Sequence, residues 1–287
     1  MGRTASCCWS PRRRIWSQGS RTSPPSPRSK SKNTTERRRA AKQGREAMKI
    51  EMFGPPEKEK ILLLHPMFTD GGFFAWAVPL LERDHCLIVP TLSGHEPGSV
   101  YRSMEQEEAA LDAFLQANGI TRLKAAAGFS LGGNILFHYF CRRRGLIDRV
   151  VLDSAPLFRF PRPVKRLFFG KYRRCLEEVR RDPARAAQTL DKQFHGMGAA
   201  QQSVAPLVTA ASLQNLVESC YSADLPPLDA ASQKKLTFVY GGRDPAALCL
   251  PRVRRYRGSR IVRLRGYGHC GYFQAHPTEY LANFLLG

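Results

Sequence analysis

Apolar and polar residues alternate along this chain with two different periods. Short apolar runs bounded by turn-forming residues recur at 49–53, 60–64, 86–89, 123–127, 149–152, 236–240 and 260–264, and each reads as a strand. Between most of them the apolar positions return every three or four residues, at 72–82, 103–117, 133–143 and 276–286, which predicts helices with one buried face. Strands alternating with helices predict an α/β protein: a mainly parallel sheet with helices on both faces. The link Gly54-Pro55-Pro56 between the first two strands reads as a turn and predicts a hairpin at the sheet edge. In sheets of this kind, function gathers at the carboxyl ends of the strands.

The alternation breaks once. Between 155 and 235 no strand pattern stands out, and helical stretches follow one another around 164–179, 184–194 and 203–219. An insertion of that size after the strand ending near Asp153 predicts a helical cap over the functional edge of the sheet. The expected organisation is therefore a first part of the core at 48–154, the cap at 155–235, and a second part of the core at 236–287. There are no internal repeats.

Charge separates off the remaining stretch. The 287 residues carry 45 Lys/Arg against 24 Asp/Glu, a formal charge of +21, and more than half of the excess lies in residues 1–47. That stretch is rich in Ser, Pro and Arg and nearly lacks aliphatics, so burial cannot offset its chain entropy and it reads as a disordered basic extension. Three readings fit it: an arm that contacts nucleic acid or another polyanion, a transit peptide, or a segment outside the working protein, which would then begin at Met48. The third is favoured, because an ordered strand pattern starts abruptly at Met48. If nucleic acid is contacted at all, this extension is where it is expected. No uninterrupted apolar run is long enough to span a membrane, so a transmembrane protein is not expected. The eight cysteines show no CxxC or metal-ligand spacing, and several lie in apolar segments, as free thiols do in a reducing cytoplasm.

Candidate chemistry clusters at the predicted strand ends. The run Gly128-Phe129-Ser130-Leu131-Gly132 links a small apolar strand to a helical pattern, the strand, sharp turn and helix of a nucleophile elbow. A serine in so tight a turn needs neighbours without side chains, which Gly128 and Gly132 supply. Other strand ends carry His65-Pro66-Met67, Ser93-Gly94-His95-Glu96-Pro97-Gly98, Gly242-Arg243-Asp244-Pro245 and Gly268-His269-Cys270. His65 and His95 are expected to organise loops, His138 to lie on a helix as a packing or surface residue, and Phe129 and Tyr272 to flank the site. Asp244 has a second reading as the cap of a helix starting at Pro245.

Together these segments resemble the serine-nucleophile branch of the α/β-hydrolase superfamily, with a helical cap, over essentially all of 48–287. The family order of serine, acid and histidine is matched by Ser130, Asp244 and His269. Asp153 is the alternative acid, because some members place it there. The family's oxyanion turn usually reads His-Gly, whereas here it reads His65-Pro66. Proline has no amide hydrogen, so Met67 is the expected first donor and Leu131 the second. The resemblance implies hydrolysis of a carboxylic ester or thioester through an acyl-enzyme, of carboxylesterase, lipase or thioesterase type, with no metal or organic cofactor. Branches with an aspartate nucleophile are disfavoured by Ser130. The alternative is a non-catalytic ligand-binding or receptor-like protein on the same fold. Within the cap, Phe158, Phe160, Phe168 and Phe169 interleave with Arg162, Lys165, Arg166 and Lys171. That pattern reads either as a lid with a solvated basic face or as an apolar acyl pocket under a rim that attracts anionic esters.

Overall fold

The structure is a computed structural model that describes residues 48–194 and 196–287; the readings made of residues 1–47 lie outside the described residues. β2 (Lys60–Leu64) is an inner strand of its sheet, where Ile61, Leu62, Leu63 and Leu64 are each at most 2% exposed. Burying such side chains contributes about 1.5–3 kcal/mol apiece, which suits this run to an interior strand covered on both faces. Around it lie β1 (Lys49–Phe53), β3 (Cys86–Thr91), β4 (Ala125–Phe129), β5 (Val150–Asp153), β6 (Leu236–Gly241) and β7 (Arg260–Leu264). The order across the sheet is β1-β3-β2-β4-β5-β6-β7, and every pairing except β1 with β3 is parallel. This is the α/β architecture that the alternation of periods predicts.

Successive residues of one strand serve opposite faces. Leu62 and Leu64 pack with Ile88, Leu152 and Phe238 on one side, where α1 (Met104–Ala117) and α2 (Leu131–Arg142) lie. Ile61 and Leu63 pack with Val89, Val151 and Val239 on the other, against Phe73, Phe273 and Tyr280. Glu108 of α1, itself buried, accepts from Arg142 at 2.9 Å and pairs with His138 at 2.5 Å, which gives His138 a packing role between the two helices.

The hairpin expected between β1 and β2 does not form. β1 runs antiparallel to β3 instead, with Lys49 opposite Thr91 and Phe53 opposite Leu87. β2 has no free edge to offer, because β3 takes one and β4 the other. Gly54 turns the chain away with φ 82°, where a Cβ would stand 2.2 Å from the His85 carbonyl. The helix expected at 72–82 is also broken, into a 3-10 turn (Gly71–Phe74) and a short helix (Val78–Leu81). Pro79 explains the break, since it has no amide to continue the ladder and its ring crowds the preceding turn. Pro206 acts similarly further on: the third inserted stretch begins its helix at Ala210 rather than 203.

Between β5 and β6 the chain forms α3 (Arg162–Arg181), α4 (Ala186–Phe194), α5 (Gly198–Gln201) and α6 (Ala210–Cys220). Tyr172, Cys175, Leu176 and Val179 give α3 its buried stripe, spaced by three and four residues. The two ends of the insertion are tied together. Phe160 N donates to Tyr221 O at 2.9 Å and Ala223 N to Phe158 O at 2.8 Å, while Asn134 of α2 donates to Cys220 O at 2.9 Å. No helix among the described residues is long and apolar enough to cross a membrane.

Candidate active site

Ser130 stands between β4 and α2 with φ 51° and ψ −113°, a backbone region that costs a serine free energy and persists where its surroundings enforce it. Two glycines make that turn geometrically possible. A Cβ on Gly128 would lie 2.5 Å from the Gly132 carbonyl oxygen, and one on Gly132 would lie 2.4 Å from that of Leu64. Phe129 anchors the turn from below, its ring 4.6 Å from Phe273. Ser130 N donates to Asp153 O at 2.8 Å, which ties the turn to the end of β5. The Leu131 amide is the first of α2 and has no intrahelical acceptor.

His269 and Asp244 come from the ends of β7 and β6. His269 donates through Nδ1 to Asp244 Oδ1 at 2.9 Å, and the same oxygen accepts from Ala246 N at 2.9 Å. Asp244 therefore does cap the turn after Pro245, and it holds the histidine as well. Gly241 allows the approach: a Cβ there would meet the carbonyl oxygens of Tyr267 at 2.3 Å and Gly268 at 2.5 Å. Burial works against the His269 cation, but the Asp244 carboxylate outweighs it by charge and hydrogen bond and raises the pKa above the usual 6.5. Burial likewise works against the Asp244 anion, and His269 with the hydrogen bonds reverses it, leaving that pKa below its ordinary value.

Asp153 takes a different place. Its Oδ1 accepts from Ser154 Oγ at 2.7 Å, and Ser154 Oγ in turn accepts from Cys270 N at 2.9 Å, beside His269. Burial pushes the Asp153 carboxyl up to about 7, and the nearby Asp244 charge adds to it. The hydrogen bond to His269 is thus made by Asp244, while Asp153 supports the histidine loop through Ser154. The sequence offers no sign of that role for Ser154.

The turn after β2 shows what replaces the usual His-Gly. His65 Nε2 accepts from Leu92 N at 2.9 Å, so the ring hydrogen sits on Nδ1, which donates to Pro66 O at 2.8 Å. Thr69 Oγ1 donates to the same carbonyl at 2.8 Å. A trans peptide points its N–H opposite to its C=O, so holding Pro66 O on one side aims the Met67 amide to the other. That amide has no acceptor among the described residues. Burial, with the neighbouring His95 adding to it, lowers the His65 pKa to about 3, and burial lowers that of His95 to about 4. Both rings are neutral near pH 7 and act as loop fasteners, 5.1 Å apart.

Met67, Ser130, Asp244 and His269 line one cavity of about 510 Å³. Its far wall comes from the insertion. Phe158 and Phe160 stack at 4.9 Å, Phe168 and Tyr221 at 4.4 Å, and Tyr172 and Phe194 complete an apolar surface. Lys171 and Leu248, the latter 76% exposed, also line it. The basic residues Arg162, Lys165 and Arg166 face a separate depression between α3 and α6, so the predicted basic rim reaches this cavity through Lys171. Among the described residues no group of three or more His, Cys, Asp or Glu is placed to hold a metal ion. Chemically, the arrangement offers a hydroxyl, an imidazole oriented by a carboxylate, and two unengaged amides beside an apolar chamber.

A family model described as the alpha/beta hydrolase fold matches residues 60–241. No curated protein matches the chain. Among solved structures, an enol-lactonase from Burkholderia xenovorans superposes with a TM-score of 0.66 at 17% identity, over 84% of this chain and 96% of that one. A carboxylesterase from Nitrososphaera gargenis gives 0.63 at 15% identity, over 82% and 92%. The thioesterase domain of the curacin biosynthetic pathway gives 0.57 at 18% identity, over 82% and 93%. At such identities the likeness is one of fold.

Proposed function

The chain belongs to the alpha/beta hydrolase fold family, and from that premise we propose that it is a serine hydrolase acting on carboxylic esters or thioesters. One observation carries the reading: Ser130 and His269 line the same cavity, and His269 is already oriented by its hydrogen bond to Asp244. Ser130 Oγ attacks the acyl carbon while His269 Nε2 takes its proton, and the tetrahedral oxyanion forms facing the amides of Met67 and Leu131. His269 returns the proton to the leaving alkoxide or thiolate. Water, deprotonated by the same imidazole, then attacks the acyl-enzyme and frees Ser130. Asp244 keeps the hydrogen on Nδ1 and stabilises the imidazolium.

The inserted helices serve as a cap, and their aromatic wall supplies the acyl site. A chamber of about 510 Å³ lined by Phe158, Phe160 and Phe168 favours an apolar acyl chain. The six described cysteines are all free thiols, which supports a cytoplasmic enzyme. A panel of p-nitrophenyl esters of graded acyl length, run beside thioester and lactone substrates, tests this reading. Turnover is expected with at least one ester or thioester class, and no turnover of any member would reject it.

A further inference from the structure

The turn that carries Met67 is held in place from the insertion. Gln201, at the end of α5, is 3% exposed and lines the cavity beside Ser130. Its Nε2 donates to the Met67 carbonyl at 3.0 Å. The amide orientation is not free to swap, because a carbonyl needs a donor. Gln201 Oε1 is therefore directed elsewhere, and it has no hydrogen-bond partner among the described residues. Half-satisfied amides are costly to bury, so a residue serving packing alone would do better as a leucine or methionine.

The clamped turn is itself strained. Thr69 N closes onto Pro66 O at 3.4 Å, and the third residue of that turn, Phe68, has φ 67°. That position in such turns favours glycine, and a bulky aromatic there needs outside support. The support comes from the same insertion. The Phe68 ring meets Phe194 of α4 edge-on at 5.3 Å and Tyr172 of α3 at 6.5 Å. α5 is fixed tightly against α4: a Cβ on Gly198 would stand 1.9 Å from the Ala187 carbonyl, and Gly198 N donates to Asp191.

We infer that Gln201 is a positioning residue: through it the insertion holds the Met67–Phe68 peptide by the Met67 carbonyl, while His65 and Thr69 hold the Pro66–Met67 peptide by the Pro66 carbonyl, and the two anchors together keep the Met67 amide in place for an oxyanion. The inference rests on the hydrolase reading above. The Met67–Phe68 peptide has two orientations open to it, and the left-handed Phe68 belongs to the one that Gln201 selects. Without Gln201 the Met67–Phe68 peptide is free to flip, and Met67, held only through Pro66 O, presents its amide to the oxyanion less firmly.

The test compares the parent with Gln201→Met and Gln201→Glu on p-nitrophenyl acetate, with fluorophosphonate labelling of Ser130 and melting temperature recorded for each. Gln201→Met keeps the volume and removes the donor. It is expected to lower kcat about tenfold, less than deleting an oxyanion donor outright, with KM nearly unchanged and melting within a few degrees of the parent. Gln201→Glu supplies a signature that a structural role would not. Its carboxyl donates to the Met67 carbonyl when protonated and repels it when ionised, so the ratio of variant to parent kcat rises as pH falls. A Gln201→Met protein with the parent's kcat, or a Gln201→Glu ratio flat with pH, overturns the assignment while leaving the hydrolase reading intact. A folded parent that neither turns over ester nor labels removes both.

Discussion

His269 Nδ1 and Asp244 Oδ1 are 2.9 Å apart, and that contact holds the imidazole's pKa up against the opposing effect of burial. In the proposed reaction His269 acts as the base and must be neutral, and its pKa is raised above the usual 6.5. Activity should therefore climb with pH along an acid limb whose midpoint is above 6.5. Asp244→Asn removes the charge that holds the pKa up, so the limb should move to lower pH while kcat drops by roughly 10⁴-fold. Asp153→Asn should leave most of the activity. A pH–rate profile of the three proteins decides the matter, and the opposite ranking would pass the acid role to Asp153.

Asp153 also makes a prediction about stability. Its carboxyl has a folded pKa of about 7, raised from the ordinary value by burial. The folded state then binds this proton more tightly than the unfolded state does, and stability falls as pH rises from about 4 to 7, by up to ~1.4 kcal/mol per pH unit from this group. Asparagine carries no such charge and keeps an oxygen for Ser154 Oγ. Asp153→Asn should thus gain on the parent steadily between pH 4 and pH 7 in urea melts. A difference that stays constant over that range would show that the carboxyl is ionised throughout.

Much of this was legible in local sequence. The apolar runs gave the strands because an inner strand of the sheet is buried on both faces, as β2 is. Ser130 sits in a five-residue pattern whose glycines have a steric cause, and Asp244 and His269 stand directly after strands. What could not be read is what depends on distant packing. The partner of β1 is decided by which strand has a free edge, and Gln201 and Ser154 reach Met67 and Cys270 across 134 and 116 positions of the chain. The aromatic wall from Tyr172, Phe194 and Tyr221 is likewise a product of how the inserted helices fold back. Pro79 was different, since its missing amide was visible and the helix at 72–82 should have been broken there.

The elbow glycines yield a paired prediction. A methyl on Gly132 would collide with the backbone of Leu64 and His65, at 2.4 and 2.6 Å, and neither carbonyl can retreat without shifting β2. Gly132→Ala should cost about 1–3 kcal/mol or more, together with most activity. Gly170 lies inside α3 with nothing within 4 Å of its would-be Cβ. Gly170→Ala should stabilise the fold by about 0.5–1 kcal/mol. Denaturant melts of the two variants should move in opposite directions.

Phe168 lies in the chamber wall between Phe160 at 5.8 Å and Tyr221 at 4.4 Å. Truncating it enlarges the chamber without touching Ser130, His269 or Asp244. Phe168→Ala should shift preference towards longer acyl chains and keep turnover of the shortest ester. Specificity constants across the ester series measure this, and an unchanged preference would take α3 out of acyl recognition.

Covalent labelling of Ser130 tests the central claim most directly. The purified protein is treated with a fluorophosphonate, digested, and the modified peptide read by mass spectrometry, beside a Ser130→Ala protein shown to be folded by its melting temperature. Ser130 sits in its strained turn and lines the same cavity as His269, so the parent should take up one phosphonyl group on the Ser130 peptide. Ser130→Ala should take up none and should lose turnover by a factor near a million, as removing a triad serine does elsewhere. A folded parent that stays unmodified, or a Ser130→Ala protein that labels and turns over like the parent, would contradict the account.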